Sequence, residues 1–163
     1  MVPESIEIAE ELHESTMAIL WGPVMNIAII LATYSYRTYA IILHAVIGFC
    51  VGLWTLAVSL TILAYFGFPD STFELYNHIN LGFACMIFLI IQILLGFSLK
   101  ILNYFDFSSN ILSKLVYCHR FLGYILIILA KTNYYIIFNI EGYYDYFCGF
   151  MVMDAFIAAI IIF

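Results

Sequence analysis

The stretch NHINLGFACMIFLIIQILLGF, from Asn77 to Phe97, contains no charged residue. A membrane-crossing helix needs about 20 mostly apolar residues, because each residue rises about 1.5 Å and the hydrocarbon core is about 30 Å thick. The stretch meets this requirement, although it carries a histidine near its start and a glutamine near its end. It therefore predicts a transmembrane helix with polar side chains that lipid alone would not favour.

The whole chain shares this apolar character. Of its 163 residues, 66% are hydrophobic and 10% are charged, and the mean hydropathy is +1.07. Soluble domains are about half apolar and about one quarter charged, so the composition excludes a water-soluble protein. The length suits one transmembrane domain over residues 1–163, with the lipid bilayer as its surroundings. The sequence has no stripe of basic residues of the kind that binds nucleic acid. Its four cysteines include no CxxC pair and imply no disulfide framework.

Five segments are long and apolar enough, or nearly so, to cross a membrane. Turn-forming residues such as Pro69, Asp70, Asp106 and Ser108 separate them, and Pro23 is expected to bend the first. The expected helices are A, about 13–36; B, about 39–66; C, about 73–102; D, about 111–138; and E, about 146–163. Because the connections are short, we expect an all-α membrane protein, an up-and-down bundle of five transmembrane helices.

Charge is divided unevenly between the two ends of such a bundle. The end that holds the N-terminus, called side 1, carries no Lys or Arg in its loops. The opposite end, called side 2, carries the basic residues Arg37, Lys100, Lys114 and Arg120, with Asp106 as its single acid. Basic residues concentrate on the cytoplasmic side of membrane proteins. We therefore expect side 2 to face the cytoplasm, or the matrix of an organelle, and the N-terminus to lie on the other side.

The four histidines of the chain fall on four different helices. His13, His44, His78 and His119 lie near the N-terminal ends of helices A, B, C and D respectively. Because the helices alternate in direction, His13 and His78 should lie together near side 1, and His44 and His119 near side 2. Four imidazoles around one Zn²⁺ would all need the same depth. Two pairs at two depths instead favour two haems, each with two axial histidines.

Glycine follows three of these histidines at the same spacing. Gly48, Gly82 and Gly123 each lie four residues after a histidine, and Met17 holds that place in helix A. Residues four apart share one helix face, so a glycine there leaves room beside the imidazole for a large flat ligand. The alternative is ordinary helix packing, in which Gly48 and Gly52 would form a GxxxG pair.

Two amide side chains lie deeper on the same helix faces. Gln92 and Asn133 each come fourteen residues after a histidine, a rise of about 21 Å and nearly whole turns. We expect each amide to reach the level of the opposite haem; the alternative is an interhelical hydrogen bond worth about 1 kcal/mol. Lys131, the one lysine inside a predicted span, is either functional or extends its ammonium group to side 1.

An ordered set of residues on three helices carries a family resemblance. The set comprises His13, Met17, Trp21, Ala32 and Tyr34 in helix A; His78, Gly82, Gln92 and Gly96 in helix C; and His119, Gly123 and Asn133 in helix D. Over about residues 13–133 the chain thus resembles the cytochrome b-561 family of ascorbate-dependent transmembrane reductases. The resemblance implies a four-helix core that binds two haem b groups, in which the first histidine pairs with the third and the second with the fourth.

The resemblance also implies a function as a transmembrane oxidoreductase. One electron at a time would pass from a small donor, ascorbate or a quinol, at side 2 to an acceptor such as a ferric chelate or monodehydroascorbate. Residues that would face an anionic donor are Arg37, Lys114 and Arg120. The chain departs from the family at Thr33, where arginine is frequent, and in offering five helices where six are usual.

Two other functions are compatible with the sequence. One is that of a cytochrome b subunit in a larger respiratory or quinone-linked complex, which the missing sixth helix and the uncharged end of helix E favour. The other is that of a haem-free structural subunit that fills space in an assembly. Other membrane subunits or a second copy of the chain are therefore possible partners.

Overall fold

The computed structural model describes residues 4–34, 37–66, 73–141 and 152. Its helices are α1 (Glu4–Ile19), a π-helical turn (Leu20–Val24), α2 (Met25–Tyr34), α3 (Thr38–Phe66), α4 (Phe73–Tyr104) and α5 (Ser109–Glu141). The predicted helices B, C and D correspond to α3, α4 and α5 with ends shifted by at most a few residues. Helix A begins earlier than predicted, at Glu4, because acidic residues favour the first turns of a helix without being apolar. The predicted helix E lies outside the described residues, apart from Val152.

Four stretches of helix are long and apolar enough to cross a membrane. They are Leu12–Thr33, Thr38–Ala64, Tyr76–Tyr104 and Ser109–Ile137. Large apolar side chains on these stretches point outward; Leu94, for example, is 61% exposed and Ile128 is 64% exposed. A water-soluble protein rarely presents so continuous an apolar surface. The outer surface is therefore the one expected of a multi-pass integral membrane protein.

Contacts between distant residues give the helix directions. His78, near the start of α4, contacts Asn133, near the end of α5, and Gln92, farther along α4, contacts His119, near the start of α5. These two contacts require α4 and α5 to be antiparallel. The ring of His44, near the start of α3, contacts Ala28 of α2. The up-and-down arrangement is thus present in the helices that the structure describes.

The buried positions repeat at fixed distances after the histidines. Seven and eleven residues after His44, His78 and His119, the buried side chains are respectively Val51 and Thr55, Cys85 and Leu89, and Leu126 and Ala130. In the first helix the buried residues after His13 are Trp21, Gly22, Asn26 and Ala28, which do not follow this spacing. The core therefore lies between the two levels of histidine.

A π-helical turn interrupts the first helix, so that backbone groups five residues apart are bonded there instead of four. Pro23 lies inside it, and proline lacks an N–H group and clashes with the carbonyl four residues earlier in an α-helix. The backbone N–H of Met25 bonds to the carbonyl of Leu20, five residues earlier. The predicted distortion at Pro23 is therefore present as a π-turn, a feature frequent at functional sites.

The turn between α4 and α5 is built around Asp106. Its φ of 51° is left-handed, and its N–H bonds to the carbonyl of Asn103 at 3.3 Å, while Phe107 N–H bonds to Leu102 at 3.1 Å. These two bonds form a Schellman motif, which satisfies the last carbonyls of α4. The carbonyl of Ser108 then accepts the first hydrogen bonds of α5, so the two helices are joined tightly.

Candidate functional site

The four histidines meet as two pairs, one from α1 and α4 and the other from α3 and α5. The ring centroids of His13 and His78 are 6.3 Å apart, with ring planes at 88°. Those of His44 and His119 are also 6.3 Å apart, with ring planes at 85°. These are the couples that alternating helix directions predict, and their geometries are nearly identical.

Backbone carbonyls hold two of the four rings from outside the pairs. His44 Nδ1 donates to the carbonyl of Ala28 at 2.8 Å, and His78 Nδ1 donates to the carbonyl of Asn133 at 3.3 Å. A carbonyl oxygen only accepts, so Nδ1 carries the proton in both rings and Nε2 keeps its lone pair. Histidines that bind metals are oriented in this way, with the second ring nitrogen bonded to a carbonyl or carboxylate.

Four buried polar atoms have no hydrogen-bond partner among the described residues. They are His13 Nδ1, His119 Nδ1, Gln92 Oε1 and Asn133 Oδ1. Buried polar atoms in folded proteins nearly always have a partner, and exceptions call for an explanation such as a bound group or water. All four belong to residues that the sequence identifies as site candidates, so the unsatisfied atoms coincide with the histidine pairs.

The two amides lie where their spacing predicts, at the level of the opposite histidine pair. Gln92 is 9% exposed, and its Nε2 donates to the backbone carbonyl of His119 at 2.7 Å. The carbonyl of Asn133 contacts His78 on the other level. The Gln92 side chain therefore makes the interhelical hydrogen bond named above as an alternative, whereas Asn133 bonds to His78 through its backbone carbonyl.

The three glycines that lie four residues after a histidine have three different environments in the structure. A Cβ atom at Gly48 would meet nothing within 4 Å, whereas one at Gly82 would lie 3.5 Å from Asn133 Nδ2. At Gly123 it would lie 2.7 Å from Gln92 Nε2, so that glycine makes room for the amide. Gly52 has a packing role, because its Cβ would lie 2.8 Å from Ile93 Cδ1.

Three further residues border the site: Gly96 and Trp21, which the sequence indicates only as part of the family resemblance, and Thr55, which it does not indicate. A Cβ at Gly96 would lie 3.6 Å from His119 Cε1, so Gly96 borders that ring; its position four residues after Gln92 is the signal that could have identified it. Trp21 Nε1 donates to Thr55 Oγ1 at 3.1 Å in the core between the two pairs. Thr55 has no distinguishing signal in the sequence.

The basic candidates lie on the exposed surface. Arg37, Lys114 and Arg120 are all exposed. The Arg37 guanidinium carbon lies 5.9 Å from the ring centroid of Tyr39. Arg120 adjoins His119 in the sequence, so it is the one basic candidate fixed next to a pair. Lys131 is half-buried on α5.

The α4–α5 hairpin contains an internal repeat. His78, Gly82 and Gln92 on α4 have the same mutual spacing as His119, Gly123 and Asn133 on α5. The antiparallel contacts place His78 beside Asn133 and His119 beside Gln92. Each helix therefore presents its histidine at one level and its amide at the other.

Comparison with family models, with curated proteins and with solved structures finds no match to this chain. The candidate site therefore rests on its own residues: two pairs of facing imidazoles, two of them oriented by carbonyls, in an apolar four-helix arrangement.

Proposed function

We propose that this protein is a dihaem b-type cytochrome that carries single electrons across a membrane. The observation that carries the proposal is the 6.3 Å separation of the rings in both histidine pairs. Imidazole nitrogens bind metals at about 2 Å, and bond lengths near 1.33 Å place a five-membered ring's centroid about 1.15 Å from each atom. Two imidazoles on opposite sides of one metal therefore have centroids about 6.3 Å apart.

The donor set favours haem over a metal ion held by protein alone. Each pair offers two imidazoles, and no group of three or more His, Cys, Asp or Glu side chains gathers among the described residues. Zn²⁺ takes four ligands, so a pair leaves such an ion incomplete. A porphyrin supplies four nitrogens itself and needs two axial ligands at most. Two histidines complete the coordination of haem iron.

The surroundings of the pairs fit the same group. His13 and His78 would hold one haem, and His44 and His119 the other. The open space at Gly48, the small residues Gly82 and Gly123, and the unsatisfied atoms of Gln92 and Asn133 provide room and polar contacts. The carbonyls of Ala28 and Asn133 fix the Nδ1 proton of two rings, which presents Nε2 to the iron.

A haem held by two histidines would supply one-electron redox chemistry and would have no open site for oxygen. The protein's part is to hold two such groups at different depths and to exclude water with an apolar core. The exposed basic residues Arg37, Lys114 and Arg120 favour an anionic donor such as ascorbate at side 2, with a ferric chelate or monodehydroascorbate as acceptor at side 1. A quinol is the alternative donor.

Purified protein tests the proposal through its haem content. A pyridine haemochrome assay should give two haem b groups per polypeptide, together with a reduced spectrum of the b type. A colourless protein that remains folded and does not take up added haem would overturn the proposal and favour a haem-free structural subunit. Co-purification of a dehydrogenase would instead place the haem-loaded chain in a larger respiratory complex.

A further inference from the structure

Trp21 lies in the region that separates the two histidine pairs. It comes eight residues after His13, about 12 Å along the helix, and its indole bonds to Thr55, which lies eleven residues after His44 on the antiparallel helix α3. Trp21 is 5% exposed, whereas Trp54, the other tryptophan of the chain, is 54% exposed toward lipid. The two pairs approach the core from opposite ends, so the indole lies between them.

Two features hold the indole in this position. Its Nε1 donates to Thr55 Oγ1 at 3.1 Å, which fixes the ring plane. The π-turn that contains Trp21 follows α1, and both Trp21 and the next residue, Gly22, are buried in it. The indole packs with a cluster of small and aliphatic core residues from α4 and α5: Cys85, Leu89, Leu126 and Ala130. It is therefore the one aromatic ring among the buried residues of this cluster.

We propose that Trp21 is the residue through which the two haem sites are electronically coupled. The inference rests on the proposed function, since it requires a redox group at each histidine pair. Electron tunnelling weakens exponentially with distance and is weaker across a void than through packed atoms. The indole fills the space between the two histidine pairs with a rigid, delocalised π-system. A smaller aliphatic side chain would fill less of that space and would leave a cavity.

The transfer is balanced without chemistry on the tryptophan. His44 and His119 would hold the group that gives up one electron and is thereby oxidised, and His13 and His78 would hold the group that gains it. A small one-electron donor at side 2 would reduce the first group again, and an acceptor at side 1 would oxidise the second. Trp21 is neither oxidised nor reduced, and its N–H proton stays on Nε1.

The experiment compares W21L with W54L, in which the same substitution is made on the lipid-facing side of the protein. Haem per polypeptide is measured first, and then flash photoreduction follows electron equilibration between the two haems. We expect both variants to retain two haems, and the interhaem rate to fall several-fold in W21L and to stay unchanged in W54L. W21F, which keeps an aromatic ring, should lie between W21L and the unaltered protein.

Fluorescence supplies a readout independent of turnover. In the W54F protein only Trp21 emits from an indole, and in W21F only Trp54 does. Haem loading should quench both indoles, because Trp54 adjoins the Thr55 that bonds to Trp21. Unquenched Trp21 emission from the haem-loaded W54F protein would place the indole away from both haems and overturn the inference.

Equal interhaem rates in fully loaded W21L and W54L would overturn the inference while leaving the proposed function intact. Absence of haem from the unaltered protein would overturn both. If W21L alone loses haem, the interhaem rates of W21M and W54M are compared instead. Methionine has a long side chain that fills more of the space, and equal rates would again overturn the inference.

Discussion

The backbone carbonyl of Asn133 accepts a hydrogen bond of 3.3 Å from the ring of His78. The same relationship joins Ala28 and His44, at 2.8 Å, on the other side of the bundle. In each case a backbone carbonyl of an antiparallel neighbouring helix accepts from Nδ1, which leaves Nε2 without a role in that bond. The two histidine pairs are thus supported separately, which makes their loss separable by mutation.

Replacing one histidine should therefore remove one haem and spare the other. H44A or H119A should reduce the haem content from two per polypeptide to about one, and H13A or H78A should do the same for the other site, because the two levels are about 21 Å apart. The measurement is the pyridine haemochrome ratio of the purified variants. Y117F, on an exposed residue of α5, is the control and should keep both. A variant of either pair that keeps two haems would remove its histidine from the ligand set.

Gly48 tests whether a ligand fills the open space beside His44. A Cβ there meets nothing within 4 Å, so G48A should leave the haem-free fold intact and yet weaken haem binding at one site, lowering haem content toward one per polypeptide. G52A is the matched control on the same helix. Its Cβ would lie 2.8 Å from Ile93 Cδ1, so it should destabilise the protein by about 1 kcal/mol through overpacking. Full haem content and an unchanged spectrum in G48A would contradict the assignment of this space to haem.

Thr55 should matter for stability through its single hydroxyl group. T55V keeps the shape of the side chain but leaves the buried indole N–H of Trp21 without its acceptor, which should cost about 1–3 kcal/mol. The measurement is the free energy of unfolding in mixed detergent micelles. T61V is the control, because Thr61 is exposed and its hydroxyl bonds to a carbonyl of its own helix. Equal losses in the two variants would show that the indole bond contributes nothing specific.

The turn at Asp106 should accept glycine with a gain in stability. The left-handed backbone of this residue, with φ of 51°, costs an L-residue about 1–2 kcal/mol, less for aspartate. D106G should therefore stabilise the α4–α5 hairpin by up to about 1 kcal/mol, whereas D106A should destabilise it. Thermal unfolding of the two variants side by side gives the comparison. A lower melting temperature for D106G than for the unaltered chain would contradict the Schellman assignment.

Much of this arrangement could be predicted from the sequence, because a helix that crosses lipid must be long and apolar. Helices joined by short connections must also alternate in direction. The apolar runs gave α3, α4 and α5 with nearly correct ends, and alternating direction alone predicted which histidines meet. The spacing of Gln92 also predicted its depth, since a helix has a fixed rise. Helix A was less predictable at its start, because Glu4 lies in a helical region that is not apolar.

The register of the first helix could not be predicted in the same way. A sequence shows that Pro23 distorts the helix, but the choice between a kink and a π-turn depends on packing against neighbouring helices. The burial of Trp21 within the π-turn and its bond to Thr55 depend on packing between helices, so the sequence alone does not show them. The sequence indicates Gly96 only through the family resemblance, because its contact with His119 crosses between helices.

The repeat within the α4–α5 hairpin has a consequence for directionality. Turning the hairpin upside down exchanges the positions of His78 and His119 and of Gln92 and Asn133, although the bonds differ: the His78 ring donates to the Asn133 backbone, and the Gln92 side chain donates to the His119 backbone. In the proposed cytochrome, this repeated spacing by itself would set no direction for electron transfer. Net flow would then follow the difference in reducing power between the two aqueous compartments, and exchanging their contents should drive current backwards through the same protein.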